Sequence, residues 1–410
     1  MVEGTRTADA GLVEFTAEAR AFLDASAQRK SGQERTSVWG EGFDSIPLYQ
    51  YDNQDQEREA RERAARWRAV KFDGGFGWLS GPAEYGGREL SAPYSRAWRS
   101  IEAEYDVPSE DVYSVSLGMV GPTILAHGTG VAKDRFLRKI YRGDILACQL
   151  FSEPGAGSDL ASLQTFAARD GNDWVVNGQK VWTSVAHLAD IGLLLARTDR
   201  KQPKHRGITA FIIDMKQPGV EIRPIRQMDG GSRFNEVFLT DARVPDIYRL
   251  GEINDGWRTA RTTLGNERAA IGTGRDYSFL VDRLVALAEH FGCADDPVLR
   301  QELMNVVIGF RVADLNNQRA LARASAGQVP GAELSIAKQF RTLNLRCAVE
   351  LAARILGPRI IADTGEWGTW PWAKLLLAVP GQRIGGGTDE ILKNVLAERV
   401  LGLPREPVAG

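Results

Sequence analysis

One carboxylate stands where an apolar side chain is expected. Ala260, Leu264, Glu267 and Ile271 fall on one helical face at i, i+4, i+7 and i+11. Burying a lone carboxylate is costly. Glu267 is therefore either paired with a cation or holds its proton more tightly, in the range useful to a general base. Arg261, Arg268 and Arg275 are the cations near enough in sequence for a purely structural pair.

Three further stretches offer groups that suit a bound cofactor or anion. The run Gln149-Leu150-Phe151-Ser152-Glu153-Pro154-Gly155-Ala156-Gly157-Ser158-Asp159 leads from strand-like residues into a turn with two hydroxyls and bare backbone N–H groups, which suits a flat, polar cofactor. It is not a dinucleotide fingerprint, because the residues after it read as extended chain and not as helix. Lys180-Val181-Trp182-Thr183-Ser184 places an indole beside hydroxyls on a strand. An indole makes a wall for a conjugated ring, although a strand Trp also serves as plain core. Gly385-Gly386-Gly387-Thr388 opens a helix at Asp389-Glu390, where free N–H groups suit an anion or a polarised carbonyl and Thr388 equally suits a simple N-cap.

The bulk properties exclude several classes. A chain of 410 residues with net charge −2 and no concentrated Lys/Arg stripe is not built for nucleic acid. No apolar run approaches the roughly 18 residues that cross a bilayer, and the polar start carries no signal peptide, so neither a membrane nor export is expected. Cys148, Cys293 and Cys347 are widely spaced and histidines number four, which points away from disulfides, a metal site or a catalytic thiol, and toward the reducing cytoplasm.

The periodicity changes twice along the chain. Helical spacing runs to about residue 140, with helices at 59–70, 92–105, 111–126 and 131–141 and a polar surface segment at 31–56. Short strands follow at 145–151, 163–169, 174–176, 180–183, 191–197, 208–214, 220–224 and 236–239, with turn signals at Asn177-Gly178, Pro218-Gly219 and Asp229-Gly230-Gly231. Long helices return at 257–291, 297–326, 333–356, 370–377 and 389–401 and read as an antiparallel bundle. This predicts an α+β fold: an N-terminal α-helical domain (1–144), a middle antiparallel β-barrel or sandwich (145–248) and a C-terminal four-helix bundle (249–410).

Taken in order, these motifs resemble the acyl-CoA dehydrogenase family over nearly the whole chain. The matching pieces are Gly77-Trp78, Tyr85-Gly86-Gly87, Ser152 to Asp159, Asn177-Gly178-Gln179-Lys180 with Trp182, Phe234-Asn235-Glu236-Val237-Phe238, Gly256-Trp257, Leu264 to Arg268, Gly387-Thr388, and the closing Ala397-Glu398-Arg399-Val400-Leu401-Gly402-Leu403-Pro404. The resemblance implies FAD bound between subunits and α,β-dehydrogenation of an acyl-CoA thioester, in which a base takes the α-proton and the β-hydrogen passes as hydride to the flavin. It implies that Phe151, Ser152, Ser158, Trp182, Ser184, Thr388 and Glu390 contact FAD, and that Ser158, Arg268 and Gly386 face the substrate. It also implies an external acceptor such as an electron-transfer flavoprotein.

Three departures refine that expectation. Most members carry the base immediately before the Gly-Thr pair, where this chain has Gly386, while a smaller group carries it at the slot of Glu267. The helix region Val281-Asp282-Arg283-Leu284-Val285-Ala286 lacks an Arg-x-x-Phe, and Arg354-Ile355-Leu356-Gly357-Pro358 replaces a Gln-x-x-Gly-Gly. Both motifs serve a neighbour's FAD, so the resemblance extends to heteromeric α2β2 members as well as to a homo-oligomer. A flavin oxidase or monooxygenase on the same scaffold, and a non-catalytic partner subunit, are the alternative readings.

Overall fold

Alternating and continuous apolar runs sort this chain into a sheet flanked by helices and a separate helical bundle. The structure is a computed structural model that describes residues 3–30, 39, 40, 44, 46, 53–272, 278–325 and 333–405. It divides into two compact units, one drawn from 1–32, 51–227 and 231–264, the other from 33–50, 228–230 and 265–410. The predicted surface segment at 31–56 lies largely outside the described residues.

The first unit opens with α1 (Glu3–Ser26), β1 (Gln28–Arg29), α2 (Gln54–Asp73), α3 (Ala92–Glu102), β2 (Tyr105–Asp106), α4 (Gly121–His127) and α5 (Gly130–Arg142). The predicted helix at 111–126 is broken into a 3-10 turn, a π turn (Ser116–Val120) and α4. Ser116 explains the break. Its hydroxyl accepts from Ala147 N–H at 2.8 Å and donates to Ala147 C=O at 3.2 Å, fixing the widened turn to the sheet.

That sheet comprises β3 (Ala147–Leu150), β4 (Phe166–Asp170), β5 (Asp173–Ser184), β6 (Ile191–Arg197), β7 (Ile208–Asp214), β8 (Val220–Ile225), β9 (Phe234–Pro245) and β10 (Arg249–Leu250). Its order is β10-β7-β6-β4-β5-β9-β8, with β3 also on β6. Every residue of β6 is buried because the strand is covered on both faces. Leu193 and Leu195 join the core of Phe136, Leu137 and Ile140 from α5. Leu194 and Ala196 join Trp174 and Val176 of β5 and Val237 and Leu239 of β9.

Two sequence expectations change here. The sheet is mixed and not purely antiparallel: β3 runs parallel to β6 from Ala147↔Ile191 to Leu150↔Leu194, and β4 meets β6 in parallel at Phe166↔Arg197. β3 reaches the sheet from a helix and not from a hairpin, and turn signals carry no information about such a crossover. Asn177-Gly178 is likewise no hairpin turn, since β5 runs through it with a register shift between Val176 and Gly178. The Asn177 amide instead pairs with Asp241 across the bulge. Glycine is required by close approach: a Cβ at Gly178 would lie 2.4 Å from Thr165 Oγ1 and 2.7 Å from its Cα. Gly178→Ala is expected to destabilise the chain by about 1–3 kcal/mol, read as a lower urea midpoint at unchanged slope.

The α6 helix (Gly256–Gly272) follows, its residues up to Leu264 in the first unit and the remainder in the second. Of the predicted helix at 257–291, α6 and α7 (Ser278–His290) are helical as expected, and residues 273–277 lie outside the described residues. The second unit continues with α8 (Pro297–Ser325), α9 (Glu333–Leu356), α10 (Trp370–Ile384) and α11 (Asp389–Arg399). Leu280, Leu284, Val306, Leu345 and Trp372 anchor the core shared by α7, α8, α9 and α10.

Candidate active site

Strand β5 is interrupted where the predicted indole stands. Its pairing with β9 slips between Lys180↔Val237 and Thr183↔Asn235, and Val181 N–H leaves the ladder to donate to Ser152 C=O at 2.9 Å. Trp182 takes a φ of 61°, a left-handed conformation that strains a bulky side chain by about 1–3 kcal/mol and that collects at functional sites. The consequence is exposure. The indole is 59% exposed while Val181 and Thr183 on either side are buried, with Phe234 set edge-on at 6.1 Å.

Beneath the bulge lies an ion pair that the sequence reading passed over. Lys180, fully buried, donates to Glu153 Oε1 at 2.8 Å and to Phe151 C=O at 3.0 Å. Glu153 also accepts from the N–H groups of Gln164 at 2.6 Å and Thr165 at 2.9 Å. Burial pulls the Lys180 ammonium down to about 8 against the opposing pull of Glu153. Burial raises the Glu153 carboxyl, but Lys180 and the N–H donors outweigh it and hold it below the usual carboxylate range. The signal in the sequence was register, because Lys180 shares the inward side of β5 with Trp174 and Val176.

The pair fastens the hydroxyl-bearing loop to β5. Ser152 and Ser184 are half-buried beside the bulge, Ser158 is exposed on the loop, and the Phe151 side chain is buried in the core, leaving its carbonyl to Lys180. A Cβ at Gly155 or Gly157 would meet no protein atom, so the protein makes no use of their missing side chains. An exposed, strained indole beside an open turn with hydroxyls fits a flat conjugated ring. His187 Nε2 lies 2.9 Å from Oε2 of the buried Glu57, a second contact that sequence patterns did not reveal.

The glycine turn belongs to the second unit. Gly386 and Gly387 have φ of 72° and 102°, and Thr388 caps α11 by accepting from Ile391 N–H at 3.3 Å. Arg383 donates to Asp389 Oδ2 at 2.7 Å across the turn. Glu390 is exposed in the first turn of α11, where its own N–H and the Thr388 hydroxyl hold its carboxyl below the usual range. Lys338 of α9 donates to Gly387 C=O at 2.6 Å. Glu267, half-buried on α6, is among the charges that act on this ammonium. Of the arginines weighed as its structural partners, Arg261 is exposed, and Arg275 and the Arg268 side chain lie outside the described residues.

A cavity of about 500 Å³ elsewhere in the first unit, lined by Arg58, Arg61, Tyr113, Asp144, His187 and Lys216, contains none of the predicted site residues. Two of its cations, Arg61 and Lys216, are already engaged by Asp190. Among the described residues no group of His, Cys, Asp and Glu could hold a metal ion, and no helix is long and apolar enough to cross a membrane. Burial pushes the Cys148 thiol up to about 12, which removes it as a nucleophile.

Comparison with known proteins covers both units. The family model for the acyl-CoA dehydrogenase N-terminal domain matches residues 49–144, that for the middle domain 148–242 and that for the C-terminal domain 254–401. Acyl-CoA dehydrogenase IpdE1 of Mycobacterium tuberculosis is 40% identical over 354 residues, spanning 86% of this chain and 91% of its own. The solved Tcur3481-Tcur3483 steroid ACAD superposes with a TM-score of 0.75 at 28% identity, covering 97% of this chain and 98% of that one. The ChsE4-ChsE5 complex from Mycobacterium tuberculosis gives a TM-score of 0.68 at 29% identity, covering 88% and 100%.

Proposed function

The chain belongs to the acyl-CoA dehydrogenase family and is an acyl-CoA dehydrogenase, and from that premise we propose that it removes the α and β hydrogens of a saturated acyl-CoA thioester with Glu267 as the α-proton base. The observation that carries this reading is the half-buried Glu267 in the same unit as a glycine turn that has no carboxylate of its own. The family is generally FAD-dependent, and in this chain Trp182, Ser152, Ser158, Ser184 and the Phe151 main chain would hold FAD, with Thr388 and Glu390 serving its adenine or pyrophosphate end. FAD bound there would supply the two-electron acceptor that the β-hydrogen requires.

The remaining roles fall to the protein. Glu267, as carboxylate, accepts the α-proton. An N–H of the turn at Gly386 polarises the thioester carbonyl, lowering the barrier to enolate-like charge on its oxygen. Ser158 and Arg268 serve the coenzyme A thioester. Trp182 shields one face of the reacting centre, and the Glu153–Lys180 pair keeps its supporting loop in register. The substrate class is best sought with a panel of aliphatic, branched and steroid-derived acyl-CoA thioesters, scored by bleaching of the flavin's visible band.

Trp182→Ala tests the cofactor role. The side chain is exposed, so the variant should unfold at the wild-type urea midpoint. An aromatic contact contributes about 0.5–1.5 kcal/mol beyond the area it covers, so FAD should bind roughly tenfold more weakly. Undiminished flavin content after dialysis would remove Trp182 from the site.

The altered residues 281–286 and 354–358 favour a heteromeric assembly, in which a related chain completes the FAD site and an external flavoprotein takes the electrons. Two of the solved neighbours carry two-protein titles, which supports that reading. The chain should purify yellow only together with its related partner. A yellow homo-oligomer that turns over acyl-CoA unaided overturns the heteromer and leaves the reaction intact.

A further inference from the structure

Helix α9 breaks the apolar pattern of its bundle on one face. Ser335, Lys338, Gln339 and Thr342 recur at i, i+3, i+4 and i+7, and all four are buried. Bundle helices carry their core at such positions. Lys338, 2% exposed, sits in the middle of this polar stripe. Its Nζ donates to Gly387 C=O at 2.6 Å and to Arg383 C=O at 3.3 Å, the carbonyls on either side of Gly385 and Gly386. Burying an ammonium is unfavourable unless its donors and charge are used, and a Met would fill the same volume without the penalty. The charges facing it are Asp389 of α11 and Glu267 of α6, which attract it, and Arg341 of its own helix and Arg383 of α10, which repel it.

We propose that Lys338 is a positioning residue for the dehydrogenation: it fixes the Gly385-Gly386-Gly387 turn that presents an N–H to the thioester carbonyl, and it sets a positive charge beside Glu267 that favours the carboxylate. The second half rests on Glu267 being the base. The first half concerns only the turn. Burial lowers the ammonium to about 8, so it stays charged from acid to neutral pH, and both effects operate there together.

Three variants of the purified holoenzyme, with its partner chain where one is required, separate these effects. Lys338→Met removes donors and charge, Lys338→Gln keeps donors without charge, and Lys338→Arg keeps both. Hydrogen–deuterium exchange of the peptide spanning 383–391, recorded without substrate, should quicken roughly tenfold in Lys338→Met and stay near wild type in the other two. With whichever acyl-CoA of the panel best reduces the flavin, the acid limb of kcat/KM should move up by about one pH unit in Lys338→Met and Lys338→Gln and stay in place in Lys338→Arg. The kcat should fall while KM changes little. Unfolding midpoints that drop with exchange and acid limb both unmoved would reduce Lys338 to a structural residue. If Lys338→Met fails to fold, the acid limb of Lys338→Gln decides. The exchange result stands whether or not Glu267 proves to be the base, so the two readings fail separately.

Discussion

Glu267→Gln is expected to lower kcat by roughly 10²–10⁴-fold, the usual contribution of a positioned general base, while flavin content and the urea midpoint stay near wild type. The substitution preserves shape and hydrogen-bonding reach and removes only the ability to accept a proton. Glu267 is half-buried and not sealed in the core, so the neutral amide leaves no large void and no stranded charge. It does deprive Lys338 of one attracting carboxylate, and Asp389 remains to offset that loss. Stopped-flow bleaching of the flavin band isolates the step, because the loss should appear in the rate of flavin reduction and not in substrate affinity. A rate within threefold of wild type would remove Glu267 from the chemistry.

Lys180→Met is expected to have the largest effect on stability. It leaves the Glu153 carboxylate, 7% exposed, without its cation, and breaking one side of a buried pair costs about 3–5 kcal/mol. The same change frees the Phe151 carbonyl and loosens the loop that carries Ser152, so flavin affinity should fall with stability. The pH dependence has a definite sign. The folded Glu153 has a depressed pKa, so its stabilisation is present above the unfolded carboxyl value and is lost as pH falls through the lower, folded value. In Lys180→Met the bare carboxyl takes up its proton more readily. The gap between wild type and variant should therefore be widest near neutral pH and narrow under acid conditions. Urea midpoints recorded across that range check both claims. A gap that widens toward acid would contradict the ionised pair.

The sequence carried the α+β architecture because its periods differ by kind. The runs that became β6 and β7 are continuously apolar, and the helices from α8 onward keep their spacing over many turns. Strand direction was not legible, since β3 and β4 join β6 through contacts that leave no mark in a local pattern. Asn177-Gly178 shows the limit of turn chemistry, for the same dipeptide serves a hairpin and a bulge, and only the partner Asp241 distinguishes them. The indole and the hydroxyl loop stand out as candidates because an aromatic wall and a turn of bare N–H groups are legible from residue type alone. Glu153, Glu57, His187 and Lys338 do not, and of Lys180 only its inward register on β5 is legible. Each is an ionisable group whose meaning depends on a partner distant in sequence, and pairing of that kind appears only once the chain is folded.

The most direct measurement follows hydrogen at the substrate's α-carbon. In deuterated buffer, with the β-hydrogen's acceptor already reduced so that net oxidation is blocked, the wild-type enzyme should exchange the α-proton of a bound acyl-CoA with solvent, and Glu267→Gln should leave it in place. Wash-in of deuterium at the wild-type rate by Glu267→Gln would show that another group takes the proton.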